Sequence, residues 1–162
     1  MIVRAMAPPD AARLAGIWAE RWGSPLIASH GRLHDARTLP GFVAAERDGL
    51  VGALTFARGD DEIEVVTLDS VEENRGVGTA LLDAAVAFGR GEGVRRLWLV
   101  TTNDNFRAIR FYQKRGWDMA ALHRDAIAAA RKLKPEIPLR GAEGVALRHE
   151  IEFERLLRPA GR

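Results

Sequence analysis

Apolar and polar residues change their period several times along this chain, and each change marks an element. Phe42 to Arg47 and Leu50 to Arg58 flank Asp48-Gly49, a strong hairpin signal. Gly59-Asp60-Asp61 makes the next turn and Glu62 to Leu68 follows, so the three runs read as an antiparallel meander. The period then lengthens. Val77, Leu81, Ala85 and Phe88 recur at helical spacing and predict a helix over 76–90, ended by Gly91-Glu92-Gly93. Arg95 to Thr101 places Leu97 and Leu99 on one side and Trp98 and Val100 on the other, the pattern of a central strand covered on both faces. A helix over 105–115, closed by Gly116, and a strand over 117–123 complete this block.

The flanks are less regular. Ile2 to Ala5 reads as a short strand, and Asp10 as the N-cap of a helix running to about Trp22, with Leu14, Ile17 and Trp18 on its apolar face. Residues 26–39 read as an irregular connection carrying His30 and His34. No further ligand cluster accompanies these two, so no metal is expected. Residues 125–133 look helical until Lys134-Pro135-Glu136-Ile137-Pro138 stops them. Gly141 and Gly144 mark turns, 151–154 alternates as a last strand, and a frayed tail is expected after Leu157.

Composition narrows the classes. The 162 residues are 47% hydrophobic and 28% charged, which suits one soluble domain spanning 1–162. A surplus of only +2 and no basic cluster with interleaved aromatics argue against nucleic acid. There is no cysteine, which excludes disulfides, thiolate metal sites and a Cys acyl-enzyme. The start lacks an apolar signal core and no stretch is long enough to span a bilayer, so a cytoplasmic location without membrane contact is expected.

The chemistry gathers at Asn74-Arg75-Gly76-Val77-Gly78-Thr79, where a strand turns into a helix through two glycines. Glycine lets backbone approach a ligand closely, and an open helix N-terminus favours phosphate. There is no Gly-Lys-Ser/Thr, and Leu81 stands where a dinucleotide fingerprint needs its third glycine. Downstream comes Asn105-Phe106-Arg107-Ala108-Ile109-Arg110-Phe111-Tyr112, leading to Gly116-Trp117.

Together the two stretches resemble the GNAT superfamily of acetyl-CoA-dependent N-acyltransferases, over roughly residues 40–123. The first resembles its pyrophosphate motif, Arg/Gln-x-x-Gly-x-Gly/Ala, and the second its Asn-x-x-Ala-x-x-x-Tyr helix. One position departs, since Glu73 stands where Arg or Gln is usual. The resemblance implies an α/β fold with a mixed, mostly antiparallel sheet of about seven strands, splayed at the acyl-CoA site and carrying helices on both faces. It implies that acetyl-CoA is the co-substrate. The pantetheine arm would pair with Val66, Thr67 and Leu68. The pyrophosphate would meet Glu73, Asn74, Arg75, Gly76, Val77, Gly78 and Thr79, and the second motif would contribute Asn105, Ala108, Phe111 and Tyr112.

Direct attack of an amine on the thioester needs a base, an oxyanion donor and an acid for the thiolate. Tyr112, the single tyrosine, fills the acid position of the motif. Glu62 and Glu64 both project from one face of their strand, and Glu64, nearer the acyl position, is the expected base. Arg107, Arg110 and Lys114 form a stripe that suits either CoA phosphates or solvent. The acceptor, a small-molecule or protein amine, is not readable from the residues, and a homodimer is open. A non-catalytic acyl-CoA-binding module of the same fold is the alternative. Residues 124–140 are expected to border the acceptor or a dimer contact.

Overall fold

The computed structural model describes residues 1–47, 49–71 and 75–158; Asp48, Glu72, Glu73 and Asn74 and the last four residues lie outside them. The elements are β1 (Ile2–Ala5), α1 (Pro8–Trp22), β2 (Leu26–Ser29), β3 (Arg32–Asp35), β4 (Gly41–Glu46), β5 (Gly49–Arg58), β6 (Glu62–Ser70), α2 (Val77–Gly91), β7 (Arg96–Thr102), α3 (Phe106–Gln113), β8 (Asp118–His123), α4 (Ala126–Leu133) and β9 (Glu150–Leu156). Seven strands form one mixed sheet in the order β1-β4-β5-β6-β7-β9-β8, and β2 pairs with β3. By its contacts the chain divides into two compact units. The first is Met1–Ile27, Asp35–Leu97 and the chain from Leu156; the second is Ala28–His34 and Trp98–Arg155.

In the first unit the expected meander is present, with β4–β5 and β5–β6 antiparallel and β1 added against β4. Alternation sends Val43 and Ala53 to one face, where they bury Leu14 and Trp18 of α1 together with Ile27 and Ala36. The opposite face receives α2. Phe42, Phe56 and Phe88 meet there, with centroids 5.1 to 5.9 Å apart, adding aromatic contact to the burial. Gly52 lets α2 come close, because a Cβ at that point would lie 2.5 Å from Val77 Cγ1. Any side chain at Gly52 would therefore lift the start of α2 off the sheet.

The start of α1 differs from the sequence reading. Pro8 and Pro9 occupy the first helical positions, where a missing N–H costs nothing, and Ala7 is the N-cap. Asp10 sits one turn in and reaches back, accepting the Ala7 N–H at 2.8 Å and a two-pronged Arg4 guanidinium at 2.6 and 2.9 Å. The Arg4 hydrogen bonds hold the Asp10 carboxyl down at about 2. Residues 26–35, read as irregular, form a hairpin instead. His30 (φ 46°) and Gly31 (φ 75°) take its two central positions, and both need the left-handed region that such a turn demands.

In the second unit α3 buries Tyr112 against Trp117 and Phe153, with centroids 5.9 and 5.5 Å away. Gly116 turns the chain with φ 70° before β8, which pairs antiparallel with β9. The long connection from 124 to 149 carries α4 and is stitched down by polar side chains. Asn103 Oδ1 accepts the N–H groups of Arg148 and His149, each at 2.9 Å, and Asp104 Oδ2 accepts that of Ala142 at 2.8 Å.

Candidate active site

In the first unit the site begins with an irregularity in β6. Thr55 pairs with Thr67 and Phe56 with Val65, so Val66 is an extra residue with no opposite number. A bulge of this kind takes one residue's backbone out of the ladder and bends the strand. It falls within the stretch read as the pantetheine partner. Thr67 is buried, and its hydroxyl is 2.8 Å from that of Thr55, so its side chain belongs to the sheet and only its backbone is offered to a ligand.

The two glutamates of β6 part company. Glu62 is a third exposed and engages Arg96 at 2.8 Å and Arg95 at 3.9 Å, which ties the start of β6 to the start of β7. Glu64 is buried, with 5% of its surface accessible. The structure thus leaves Glu64, not Glu62, as the carboxylate inside the fold.

Beyond β6, the segment read as the phosphate cradle opens α2. Gly76 is its N-cap in the left-handed region (φ 78°) and has no side chain with which to cap it, and the first intrahelical bond runs from Ala80 N–H to Gly76 O at 3.0 Å. The N–H groups of Val77 and Gly78 precede that bond and face out of the helix end. A Cβ at Gly76 would meet nothing within 4 Å among the described residues, so it is the left-handed backbone rather than crowding that favours glycine there. Arg75 pairs with Glu46 at 3.1 Å on the surface. Glu73 and Asn74 lie outside the described residues, so the departure at Glu73 has no structural account.

Asp69, at the end of β6, was missed in the sequence. It is buried and accepts Trp22 Nε1 at 3.1 Å, with Arg21 3.7 Å away. Arg21 also donates to the Ser70 carbonyl at 2.6 Å, so the last turn of α1 clamps the end of β6 just before the cradle. Burial pushes the Asp69 carboxyl up, against the opposing pull of Trp22 and Arg21. No periodic signal marks it, because an aspartate before a turn reads as an ordinary turn residue.

In the second unit α3 carries the remaining residues. Asn105 caps the helix, its side chain accepting the Ala108 N–H at 3.1 Å. Phe111 lies edge-on to Tyr112 at 5.3 Å and is covered by the Arg115 guanidinium, 3.6 Å from its centroid. Tyr112 is 8% accessible. Arg107, Arg110 and Lys114 are exposed, as a solvated or phosphate-facing stripe requires. A second polar cluster, His30, His123 and Glu152, was not foreseen, since it is assembled from three distant stretches.

Residues 11–117 match the model of the acetyltransferase (GNAT) family. The chain is 39% identical over 145 residues to the uncharacterized protein YdhI of Bacillus subtilis (strain 168), covering 89% of this chain and 91% of that one. Its fold is similar to the ribosomal-protein-S18-alanine N-acetyltransferase from Escherichia coli (TM-score 0.71, 17% identity, 99% and 96% of the two chains). It is equally similar to a GNAT family acetyltransferase from Elizabethkingia anophelis with acetyl-CoA bound (TM-score 0.71, 15% identity, 96% and 97%). This chain belongs to the GNAT acetyltransferase family. No helix among the described residues is long and apolar enough to cross a membrane.

Proposed function

We propose that this protein transfers an acetyl group from acetyl-CoA to an amine by direct attack. The observation that carries the reading is the glycine-led start of α2, where Gly76 turns left-handed and the helix end presents N–H groups of the kind that bind phosphate. The Elizabethkingia neighbour with acetyl-CoA bound supports the donor, and the S18-alanine N-acetyltransferase supports an amine as acceptor. When bound, acetyl-CoA supplies a thioester carbonyl as electrophile.

In this reading Gly76, Val77, Gly78 and Thr79, with Glu73, Asn74 and Arg75 beside them, receive the pyrophosphate. Backbone freed by the Val66 bulge, continuing through Thr67 and Leu68, holds the pantetheine arm and aims an N–H at the carbonyl oxygen on which charge builds. Glu64 takes the amine proton, directly or through one water. The new C–N bond replaces C–S, and the Tyr112 hydroxyl delivers its proton to the departing thiolate. Asn105, Ala108 and Phe111 contact the cofactor. No metal is required for this chemistry. Action in the cytoplasm, without nucleic acid or membrane, fits it, and a homodimer is compatible with it.

Two measurements test the proposal. Thiol release from acetyl-CoA across an amine library should be amine-dependent in the wild type. Tyr112→Phe should lower kcat by roughly 10²-fold or more with CoA affinity nearly intact. Calorimetry on Gly76→Ala should show weakened CoA binding; undiminished affinity in a folded variant would remove the cradle. Glu73, in place of Arg or Gln, favours a second reading, an acyl-CoA-binding module without turnover. CoA binding with no thiol release for any amine would decide for that reading.

A further inference from the structure

We propose that His30, His123 and Glu152 form a binding site for one divalent transition-metal ion, with Zn²⁺ the best match. Each residue offers a ligand atom, and these atoms lie within 4.8 Å of one another. His123 Nε2 is already 2.8 Å from Glu152 Oε2. Two ligands of a tetrahedral zinc, each about 2.0–2.1 Å from the ion, stand roughly 3.3 Å apart. An ion can therefore enter between nitrogen and carboxylate with a small separation of the pair. The remaining closure falls to His30, on an exposed turn that can follow.

The scaffold explains why these three meet. His123 is opposite Glu150 in the β8–β9 ladder, so Glu152, two residues along, shares its face and lies diagonal to it. Glu152 is buried, which fixes the carboxylate, while His123 is partly exposed and leaves an approach from solvent. The left-handed turn at His30-Gly31 carries its imidazole over this pair. Its ring stands edge-on to His123 at 4.6 Å and to Trp98 at 5.3 Å. The indole limits how the ring can turn, the supporting role that neighbouring groups play around ligating histidines.

Two imidazoles and one carboxylate are borderline ligands that suit zinc over magnesium or calcium, whose sites are built from oxygen. Three protein ligands leave a fourth position for water or an added base, as in open zinc sites. The chain has no cysteine, so no thiolate set competes for the ion.

The test uses the full chain and Co²⁺ as the probe, because four-coordinate cobalt is visible by its absorption. Expected is one Co²⁺ per chain, displaced by Zn²⁺, with a dissociation constant of about 1 µM or tighter. The chain has four histidines, and of their imidazole NMR signals only those of His30 and His123 should move on adding Zn²⁺. His30→Asn keeps a residue that tolerates the left-handed turn, so it should fold and lose at least tenfold in affinity; Glu152→Gln should lose as much. His34→Asn and His149→Asn should bind as the wild type does. The proposal is overturned if no binding occurs up to about 0.1 mM Co²⁺. Equal affinity in His30→Asn and the wild type, or shifts centred on His34 or His149, would overturn it as well.

Discussion

Residues 35–97 and residues 98–155 are held together by different means. The first region is a meander whose faces are filled by α1 and α2, and its cohesion comes from apolar burial: Val43, Ala53, Leu54 and Leu81 are wholly inaccessible. The second has buried aromatic packing around Tyr112, but its long connection is fastened by side chains that bind backbone. Asn103 and Asp104 hold 142–149, and Arg131 donates to the carbonyls of Ile137 (3.1 Å), Pro138 (2.6 Å) and Leu147 (2.7 Å). Burial obeys a period and is shared among many residues. Stitching rests on a few polar atoms, each of which leaves a backbone group unsatisfied when removed.

The contrast can be broken by truncation. Phe56→Ala should cost about 3–5 kcal/mol in urea denaturation, the usual loss for a large buried aromatic. It should lower protection against hydrogen exchange throughout the meander. Asn103→Ala should cost less, roughly 1–3 kcal/mol, from the N–H groups of Arg148 and His149 left without an acceptor. Its exchange should rise at 140–149 and nowhere in 41–58. A uniform rise across both regions would contradict the division.

Two aspartates sharpen it further, because one sits at each end of α1, Asp10 within the helix and Asp69 on β6 against its last turn, with opposite charge preferences. Asp10, held at about 2 chiefly by Arg4, stabilises the fold above its ordinary value near 4, and this is lost as the pH falls through about 2. Asp10→Asn should lose about 1 kcal/mol at pH 7, the size of a helix-cap contact. Asp69 has the reverse sign. Its carboxyl is raised by burial, so the folded chain holds the proton more tightly than the unfolded chain does. Its favourable contribution is present in acid and lost as the pH rises through the folded value. Asp69→Asn should therefore match or exceed wild-type stability at pH 8, and the advantage should vanish below about pH 4. A variant less stable at pH 8 than at pH 4, relative to wild type, would reverse the sign.

Legibility in the sequence follows the same line. The meander, α2 and the central strand β7 were readable because Val77, Leu81 and Ala85, or Leu97 and Leu99, repeat at the period of their element. The glycine-led turn was readable because it is short and contiguous. The β2–β3 hairpin was not, since its turn uses His30 where Asn or Gly would signal it. Asp10 was placed at the wrong helical position because its partner, Arg4, lies outside the helix, on β1. The metal-ligand trio escaped for a related reason: its members come from three separate stretches of the chain, and only the β8–β9 register joins two of them.

The extra residue at Val66 has a consequence for how β6 divides its side chains between the sheet faces. In an unbroken strand, residues three apart point in opposite directions. Here Thr67 opposes Thr55 and Asp69 opposes Ala53, both on the α1 face, while Glu64 opposes Ala57, two residues beyond Thr55 and so also on that face. The bulge is thus a phase shift. It lets one strand present residues 64, 67 and 69 on the sheet face that α1 covers, a spacing no alternating pattern can satisfy. Deleting Val66 would restore regular pairing but turn either Glu64 or the Thr67–Asp69 pair to the α2 side. A nine-residue strand in place of eight is the condition for keeping a carboxylate and a structural threonine on the same wall.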